Sequence, residues 1–153
     1  MALTDNKNFL SPVGFTLKID ADRANTEYFC TQANLPGISL SNVDQGYKGV
    51  NLGFTGDRMT FDQFNITFNV TENLENYIEI YNWMLNITNA KNPEDYKYDG
   101  RLMILTSHNN IVKEIKLFDL FPSNLSSIEF NAQATDIEYV QAQVTFKYTY
   151  FEI

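Results

Sequence analysis

Strict alternation of apolar and polar residues is the feature that most constrains the fold of this chain. Near the C-terminus, residues 140–150 carry Val, Ala, Val, Phe, Tyr and Tyr at every second position, separated by Gln, Gln, Thr, Lys and Thr. Residues 64–70 repeat the pattern with Phe, Ile, Phe and Val around Asn, Thr and Asn. Since successive strand side chains point to opposite faces, both segments are predicted to be strands with one apolar face and one neutral polar face.

Further strands are predicted over residues 15–19, 27–32, 47–52 and 127–130. Between Arg101 and Phe118, two strands are expected to flank His108-Asn109-Asn110, because Asn tolerates the positive φ of a tight turn. The continuous apolar run 102–105 predicts a strand that is buried on both faces.

One helix is predicted from Glu72 to Ile87, with Thr71 as its N-cap and acidic residues in its first turn. The stripe expected to face the core recurs at helical spacing and comprises Leu74, Tyr77, Ile78, Tyr81, Met84 and Leu85. Ile80, Trp83 and Ile87 lie outside that stripe, so this prediction leaves apolar area for a subunit contact.

The connection from Asp44 to Asp57 is rich in both glycine and apolar residues. It is too glycine-rich for a rigid hairpin and too apolar for a freely solvated loop. Two interpretations stay open: a mobile loop that orders against a partner, and a twisted hairpin with bulges on the monomer.

The composition favours one mainly β domain over residues 1–153, a β-sandwich or barrel-like unit with one flanking helix. Of 153 residues, 44% are hydrophobic and 14% aromatic, which suits packed strands and allows a core without disulfides or metals. The N-terminus lacks a leader pattern and no segment has the apolar length of a membrane span, so a soluble protein without membrane insertion is expected.

Enzymatic chemistry is not predicted. Cys30 and His108 are the chain's one cysteine and one histidine, too few for a zinc site, and each is expected to be inert, one buried and one in a solvated turn. Asp20 and Asp22 lack a third carboxylate at calcium-loop spacing. The net charge of −8 argues against binding nucleic acid by neutralising phosphates. No cofactor or metal is predicted.

Two stretches carry a family resemblance. The first is Gly56-Asp57-Arg58-Met59-Thr60-Phe61-Asp62-Gln63-Phe64, interpreted as a charged turn before a strand. The second is Lys113-Glu114-Ile115-Lys116-Leu117 followed by Leu120-Phe121-Pro122-Ser123-Asn124-Leu125, interpreted as a charged strand and an aromatic-proline turn. From about Phe15 to the C-terminus, their order resembles the tail tube proteins of contractile-tailed bacteriophages and the inner tubes of related bacterial injection machines.

The resemblance implies a structural virion protein of the tail, assembled in the host bacterial cytoplasm. Its strands would join those of neighbouring subunits into hexameric rings that stack into a tube. Expected partners are other copies of the chain, the sheath protein, the baseplate initiator and the tail terminator. Genome DNA would pass through the lumen without specific binding, repelled by a ring of formal charge 6 × −8 = −48.

The resemblance also implies roles for particular residues. Contacts between subunits or rings are assigned to Gly56, Asp57, Arg58, Phe61, Asp62, Lys113, Glu114, Phe121 and Pro122. Lumen-facing positions are assigned to Asn65, Thr67, Asn69, Gln141, Gln143 and Thr145. Arg58 is expected to form a charge-assisted bond, either across the interface or within the chain.

The alternative is a monomeric β-sandwich module that binds a glycan or protein ligand. Trp83, Tyr96 and Tyr98 would then serve as stacking surfaces. The size of the particle in solution separates the two hypotheses, because a module elutes as one chain near 17.6 kDa and a tube protein forms rings or polymers.

Overall fold

The computed structural model of the chain describes residues 8–19, 24–133, 135 and 138–153. Within these residues the α-helices are α1 (Ala24–Tyr28) and α2 (Glu75–Asn89), and a short 3₁₀ helix spans Pro93–Tyr96. The strands are β1 (Phe15–Ile19), β2 (Cys30–Ala33), β3 (Ile38–Tyr47), β4 (Val50–Phe61), β5 (Phe64–Asn69), β6 (Tyr98–Leu105), β7 (Ile111–Leu125), β8 (Gln141–Lys147) and β9 (Tyr150–Glu152).

Two antiparallel sheets share the long strand β7. The first sheet has the order β1-β6-β7-β9, and the second has the order β2-β5-β8-β7. The N-terminal part of β7 pairs with β6 and β9, whereas its end from Phe121 onward pairs with β8. Asp119 adopts φ 57° at the change of partner. The shared strand therefore folds the two sheets over one another, and the predicted mainly β architecture is confirmed.

The core fills the space between the two sheets and α2, as alternation predicts. Its buried apolar side chains are Leu17, Ile19, Phe64, Ile66, Phe68, Ile80, Trp83, Leu102, Ile115, Leu117, Leu120, Ala142, Val144, Phe146 and Phe151. Every strand of the two sheets except β2 contributes at least one of these residues.

The predicted helix is present, and its core-facing stripe was correct for Tyr77 and Met84 but wrong for Ile78, Tyr81 and Leu85. Ile80 and Trp83 are fully buried, and the Trp83 indole N–H donates to the Tyr96 carbonyl oxygen at 2.8 Å. Ile78 and Tyr81, predicted as core residues, are exposed. The apolar side chains cover more than half of the helix circumference, so periodicity alone could not identify the face that holds the indole.

The helix also begins later than predicted. Glu75 is its first residue, and Leu74 at the N-cap is left-handed with φ 58°. Thr71 is therefore not the N-cap, although its hydroxyl accepts a hydrogen bond from the Glu75 backbone N–H at 3.1 Å.

Several strand predictions are confirmed and others needed correction. The strand over Phe15–Ile19 has the predicted bounds, and Asn109 adopts φ 60° in the β6–β7 turn. The strand predicted over residues 27–32 begins later, because Glu27 lies within α1 and β2 starts at Cys30. Residues 127–130 form no strand. The predicted C-terminal strand breaks after Lys147, because the chain leaves the second sheet and pairs β9 with the first.

The predicted burial of the β6 run holds for one residue only. Leu102 is buried, whereas residues 103–105 are half-buried. Within the described residues, no helix has the length and apolar character to cross a membrane.

Candidate assembly surfaces

Strands β3 and β4 form a separate two-stranded hairpin, called the arm here and defined as Ile38–Phe61. Its tip is a two-residue turn in which Lys48 has φ 47° and Gly49 has φ 80°, the conformation of a type I′ turn. Every arm residue is exposed except Gly56 and Phe61, which are half-buried. The hairpin interpretation of the glycine-rich connection is thus confirmed, while its ordering against a partner stays a prediction.

The outer part of the arm is amphipathic. Directly paired residues share a face, and the pairs Val43↔Phe54, Gln45↔Leu52 and Tyr47↔Val50 alternate with Asn42↔Thr55, Asp44↔Gly53 and Gly46↔Asn51. The first three pairs form one largely apolar face, called the apolar arm face. Its apolar side chains are 44% to 63% exposed. Large apolar groups held on one side of an exposed ribbon indicate a surface that another protein covers.

The Gly56-Asp57-Arg58 stretch is a bulge, not the predicted turn. Pairing passes from Leu40↔Met59 directly to Asn42↔Thr55, so Ser41 lies opposite all three residues. A Cβ on Gly56 would lie 2.0 Å from the Ser41 hydroxyl oxygen and 2.6 Å from its carbonyl oxygen. The Ser41 hydroxyl also accepts a hydrogen bond from the Arg58 backbone N–H at 3.3 Å. Glycine is therefore required at this position by close packing across the arm.

Phe61 and Asp62, two predicted contact residues, lie where the arm joins the sandwich. The Phe61 ring packs edge-on against Phe151, with centroids 5.2 Å apart. The Tyr148 hydroxyl donates to the Asp62 carbonyl oxygen at 2.7 Å, and the Asp62 N–H donates to the Gly37 carbonyl oxygen at 3.0 Å. Burial, with the nearby Asp62 charge, raises the pKa of Tyr148 to about 12. These contacts hold the base of the arm.

The six predicted lumen residues lie together on the outer face of the second sheet. Strands β5 and β8 pair them as Asn65↔Thr145, Thr67↔Gln143 and Asn69↔Gln141. The Thr145 hydroxyl donates to Asn65 Oδ1 at 2.7 Å, and Gln141 Nε2 donates to Asn69 Oδ1 at 3.2 Å. In two of the three pairs, the side chains are therefore joined by a hydrogen bond. The surface formed by all six residues is called the neutral face, and none of the six carries a charge.

The other predicted contact residues lie on β7, away from any turn. Lys113 is exposed, and Glu114 forms an ion pair with Arg101 at 3.5 Å. Phe121 and Pro122 were predicted to form a turn, but they lie within the strand just before a register shift. Pro122 is buried opposite Phe146. Proline fits here because a bulge interrupts the ladder of backbone hydrogen bonds.

The structure does not support the stacking surface of the ligand-binding alternative. Trp83 is fully buried, and its ring packs against Phe146 and Tyr98 with centroids 5.8 Å and 5.5 Å away. Tyr96 and Tyr98 are half-buried. The indole is therefore part of the core.

Cys30 and His108 lie on different parts of the fold, one on β2 and the other between β6 and β7. Burial raises the pKa of the Cys30 thiol to about 11, as expected of an unreactive cysteine. His108 is exposed beside the β6–β7 turn. Among the described residues, no group of three His, Cys, Asp or Glu could hold a metal ion. Asp20 and Asp22 lie outside the described residues.

Sequence reasoning missed the residues that shape the arm. Ser41 was not singled out, although glycine density around residue 56 signals a close backbone approach. Tyr148 was assigned only to a strand. The apolar arm face could have been found from alternation in residues 50–54, which strictly interleaves Val, Leu and Phe with Asn and Gly.

Solved structures share this fold. The tube terminating cap of the anti-feeding prophage matches with a TM-score of 0.74 and 14% identity, over 99% of this chain and 94% of that chain. A chain from the sheath-tube complex of an extracellular contractile injection system, PVC, matches with a TM-score of 0.68 and 14% identity, over 95% of this chain and 93% of that chain. At these identities the likeness concerns the fold.

Sequence comparison defines the family. A tail tube terminator protein of Enterobacteria phage T4 is 27% identical over 128 residues, 78% of this chain and 73% of that protein. A tail tube protein of Serratia phage KSP90 is 31% identical over 121 residues, 75% of this chain and 67% of that protein. The family model for phage tail tube proteins matches residues 7–153, and the chain belongs to that family. It is a structural component of the virion tail, and the resemblance to tail tube proteins is confirmed.

Proposed function

We propose that the chain, folded as one domain over residues 1–153, assembles into hexameric rings that stack as the inner tube of a contractile tail. The observation that carries this proposal is the arm. A two-stranded hairpin is at best marginally stable in water by itself, and both of its outer edges expose unpaired backbone groups. Pairing or packing with neighbouring subunits satisfies the edges and covers the apolar arm face, and symmetric repetition closes the sheet.

The bulge and the arm base supply contacts around the subunit interface. Arg58 is exposed beside Asp57, and no ion pair of its guanidinium with another described residue is formed. It is therefore available for a charge-assisted bond to an acidic group of the next copy. Phe61 and Asp62 fix the direction in which the arm leaves the sandwich. Lys113 and Glu114 on β7, with the Phe121-Pro122 bulge, form the second part of the proposed contact.

The neutral face lines the bore in this proposal, and genome DNA passes along it during ejection. Uncharged amides and hydroxyls lack the cations that hold phosphates, and those already paired across strands offer few free donors to a passing backbone. The net charge of −8 per chain keeps the field of the ring repulsive to DNA. DNA therefore moves through without specific binding.

The opposite surface of the sandwich, the outer face of the first sheet, is charged. Direct pairing aligns Lys18, Arg101, Lys116 and Glu152 across β1, β6, β7 and β9. A face that lies away from the bore turns toward the sheath, where charged groups can select a partner. The sheath protein, the baseplate initiator and the tail terminator complete the proposed set of partners, all assembled in the host bacterial cytoplasm.

The test is assembly of the purified protein, followed by negative-stain electron microscopy and light scattering on the same sample. The expected result is hollow tubes with a bore wide enough for duplex DNA. The matched variant replaces residues 41–58 with a two-residue Asn-Gly turn between the paired Leu40 and Met59, which removes the outer arm and the bulge and leaves the sandwich and the arm base. It is expected to stay folded and monomeric. Tubes formed equally well without the outer arm, or wild-type protein that stays monomeric at all concentrations, would contradict the proposal.

A further inference from the structure

Helix α2 carries an exposed apolar stripe on the side that faces away from the core. Ile78, Tyr81 and Leu85 follow one another at helical spacing and are 44%, 54% and 41% exposed. The buried face, which holds Ile80 and Trp83, lies on the opposite side of the helix. The three stripe residues are uncharged, and residues 80–89 contain no charged side chain, so the acidic residues of α2, Glu75 and Glu79, lie only near the N-terminal end of the stripe.

The stripe and the apolar arm face have matching dimensions and chemistry. Four residue steps along the arm, from Val43 to Tyr47, span about 13 Å. Seven residue steps along the helix, from Ile78 to Leu85, span about 11 Å. Asp44 projects from the other face of the arm, as its pairing with Gly53 requires. The residues of the apolar arm face and the three stripe residues therefore oppose no charge to one another.

We propose that the apolar arm face of one copy packs on the α2 stripe of a second copy. The inference rests on the proposed function and specifies one of its contacts. Within a chain both surfaces remain exposed, so each is accessible to another copy. A contact between two different patches is heterologous, so every copy can give its arm to one neighbour and receive the arm of another. Such a contact builds rings or helical stacks and does not stop at a dimer.

The size of the contact explains why many copies are needed. The eight apolar side chains involved, five on the arm and three on the helix, are about half exposed. With about 160 Å² for a fully exposed large apolar side chain, they hold roughly 650 Å² of accessible area. This is less than a stable isolated pair buries. The contact is expected to be weak between two free chains and effective when each subunit makes it twice.

The first test introduces one negative charge on each surface. Phe54→Asp on the apolar arm face and Tyr81→Asp on the stripe are expected to lower tube yield at least tenfold while circular dichroism stays unchanged. The matched controls carry the same charge on other faces: Thr55→Asp on the opposite side of the arm, and Asn86→Asp on α2 away from the stripe. Both controls should assemble like wild type. Tubes of Tyr81→Asp at wild-type yield would overturn the proposed contact.

The second test asks whether the two surfaces meet between copies. In a Cys30→Ser background, one chain carries Leu52→Cys and the other carries Ile78→Cys, and a short bismaleimide is added to the assembled mixture. A crosslinked dimer in the mixture, and much less in either chain alone, supports the contact. If wild-type protein forms tubes and the assembled cysteine variants give no such crosslink, the contact is overturned and the proposed function stands. Wild-type protein that never assembles contradicts both.

Discussion

Phe64 in the sandwich is fully buried, whereas Phe54 in the arm is 51% exposed. Both occupy strands in which apolar and polar residues alternate. The difference is that β5 lies between β2 and β8 and faces a core, while β4 pairs with β3 alone. The same alternation thus places apolar side chains in the core in one region and leaves them exposed for assembly in the other. Substitutions in the two regions should affect different measurements.

The largest expected effect is on subunit stability in the sandwich. Trp83→Ala removes a fully buried ring and its hydrogen bond to the Tyr96 carbonyl, and it should lower the free energy of unfolding by about 3–5 kcal/mol. Phe54→Ala in the arm should change the same quantity by less than about 0.5 kcal/mol. Urea denaturation followed by circular dichroism measures both. Equal losses of unfolding free energy in the two variants would contradict the difference in burial between core and arm.

Gly56→Ala should produce an intermediate effect within the arm. Its Cβ would overlap the Ser41 hydroxyl and carbonyl oxygens, so the bulge must distort at a cost of about 1–3 kcal/mol. Because the carbonyl belongs to the backbone, Ser41→Ala should not restore the geometry. Tube yield is expected to fall while the unfolding midpoint of the sandwich stays unchanged. Normal assembly by Gly56→Ala would show that the bulge geometry is unimportant.

A smaller effect is expected at the base of the arm. Tyr148→Phe removes the hydrogen bond to the Asp62 carbonyl and should reduce stability by about 0.5–1.5 kcal/mol. Since the pKa of Tyr148 is raised from 10.0 to about 12, the fold favours the neutral phenol. The associated stability is fully present below pH 10 and is lost as the pH rises through about 12.

This prediction is checked by measuring the free energy of unfolding as a function of pH for wild type and for Tyr148→Phe. The difference between the two proteins should be constant below pH 10 and shrink between pH 10 and about 12. A difference that does not change over this range would exclude the titration of Tyr148 as its source.

A small stability effect is also expected at Cys30, whose replacement by Ser should cost less than about 1 kcal/mol because the site is only half-buried. The thiol pKa of about 11, raised from 9.0, predicts an approximately 100-fold smaller thiolate fraction at pH 8. Alkylation by iodoacetamide should therefore be much slower in the folded protein than in urea. Equal rates would mean that burial does not protect the thiol.

The sequence allowed prediction where one physical cause dominated. Alternation identified β5 and β8 and both of their faces, and the Asn residues marked the β6–β7 turn. Prediction from the sequence failed where one pattern was compatible with two structures. Helix α2 is apolar on most sides, so only the packing of Trp83 decides which side is buried. The Gly56-Asp57-Arg58 stretch contains turn residues, yet its distant partner Ser41 makes it a bulge.

The candidate site was predictable only in part. The neutral face follows from alternation on two strands, but the pairing that brings Asn65 beside Thr145 depends on strand order, which no local pattern encodes. The roles of the predicted contact residues also depend on a second copy of the chain. Composition and family resemblance therefore identified the kind of protein before the arm could be described.

In the proposed assembly, the arm is free in the isolated subunit and covered in the tube. Hydrogen–deuterium exchange, followed by mass spectrometry of arm and sandwich peptides before and after assembly, tests it most directly. We expect amides of residues 42–55 to exchange rapidly in the free subunit and at least about 100-fold more slowly in tubes. Sandwich amides should be protected in both states. Arm amides that stay fast in assembled tubes, or are already slow in the free subunit, would contradict the claim.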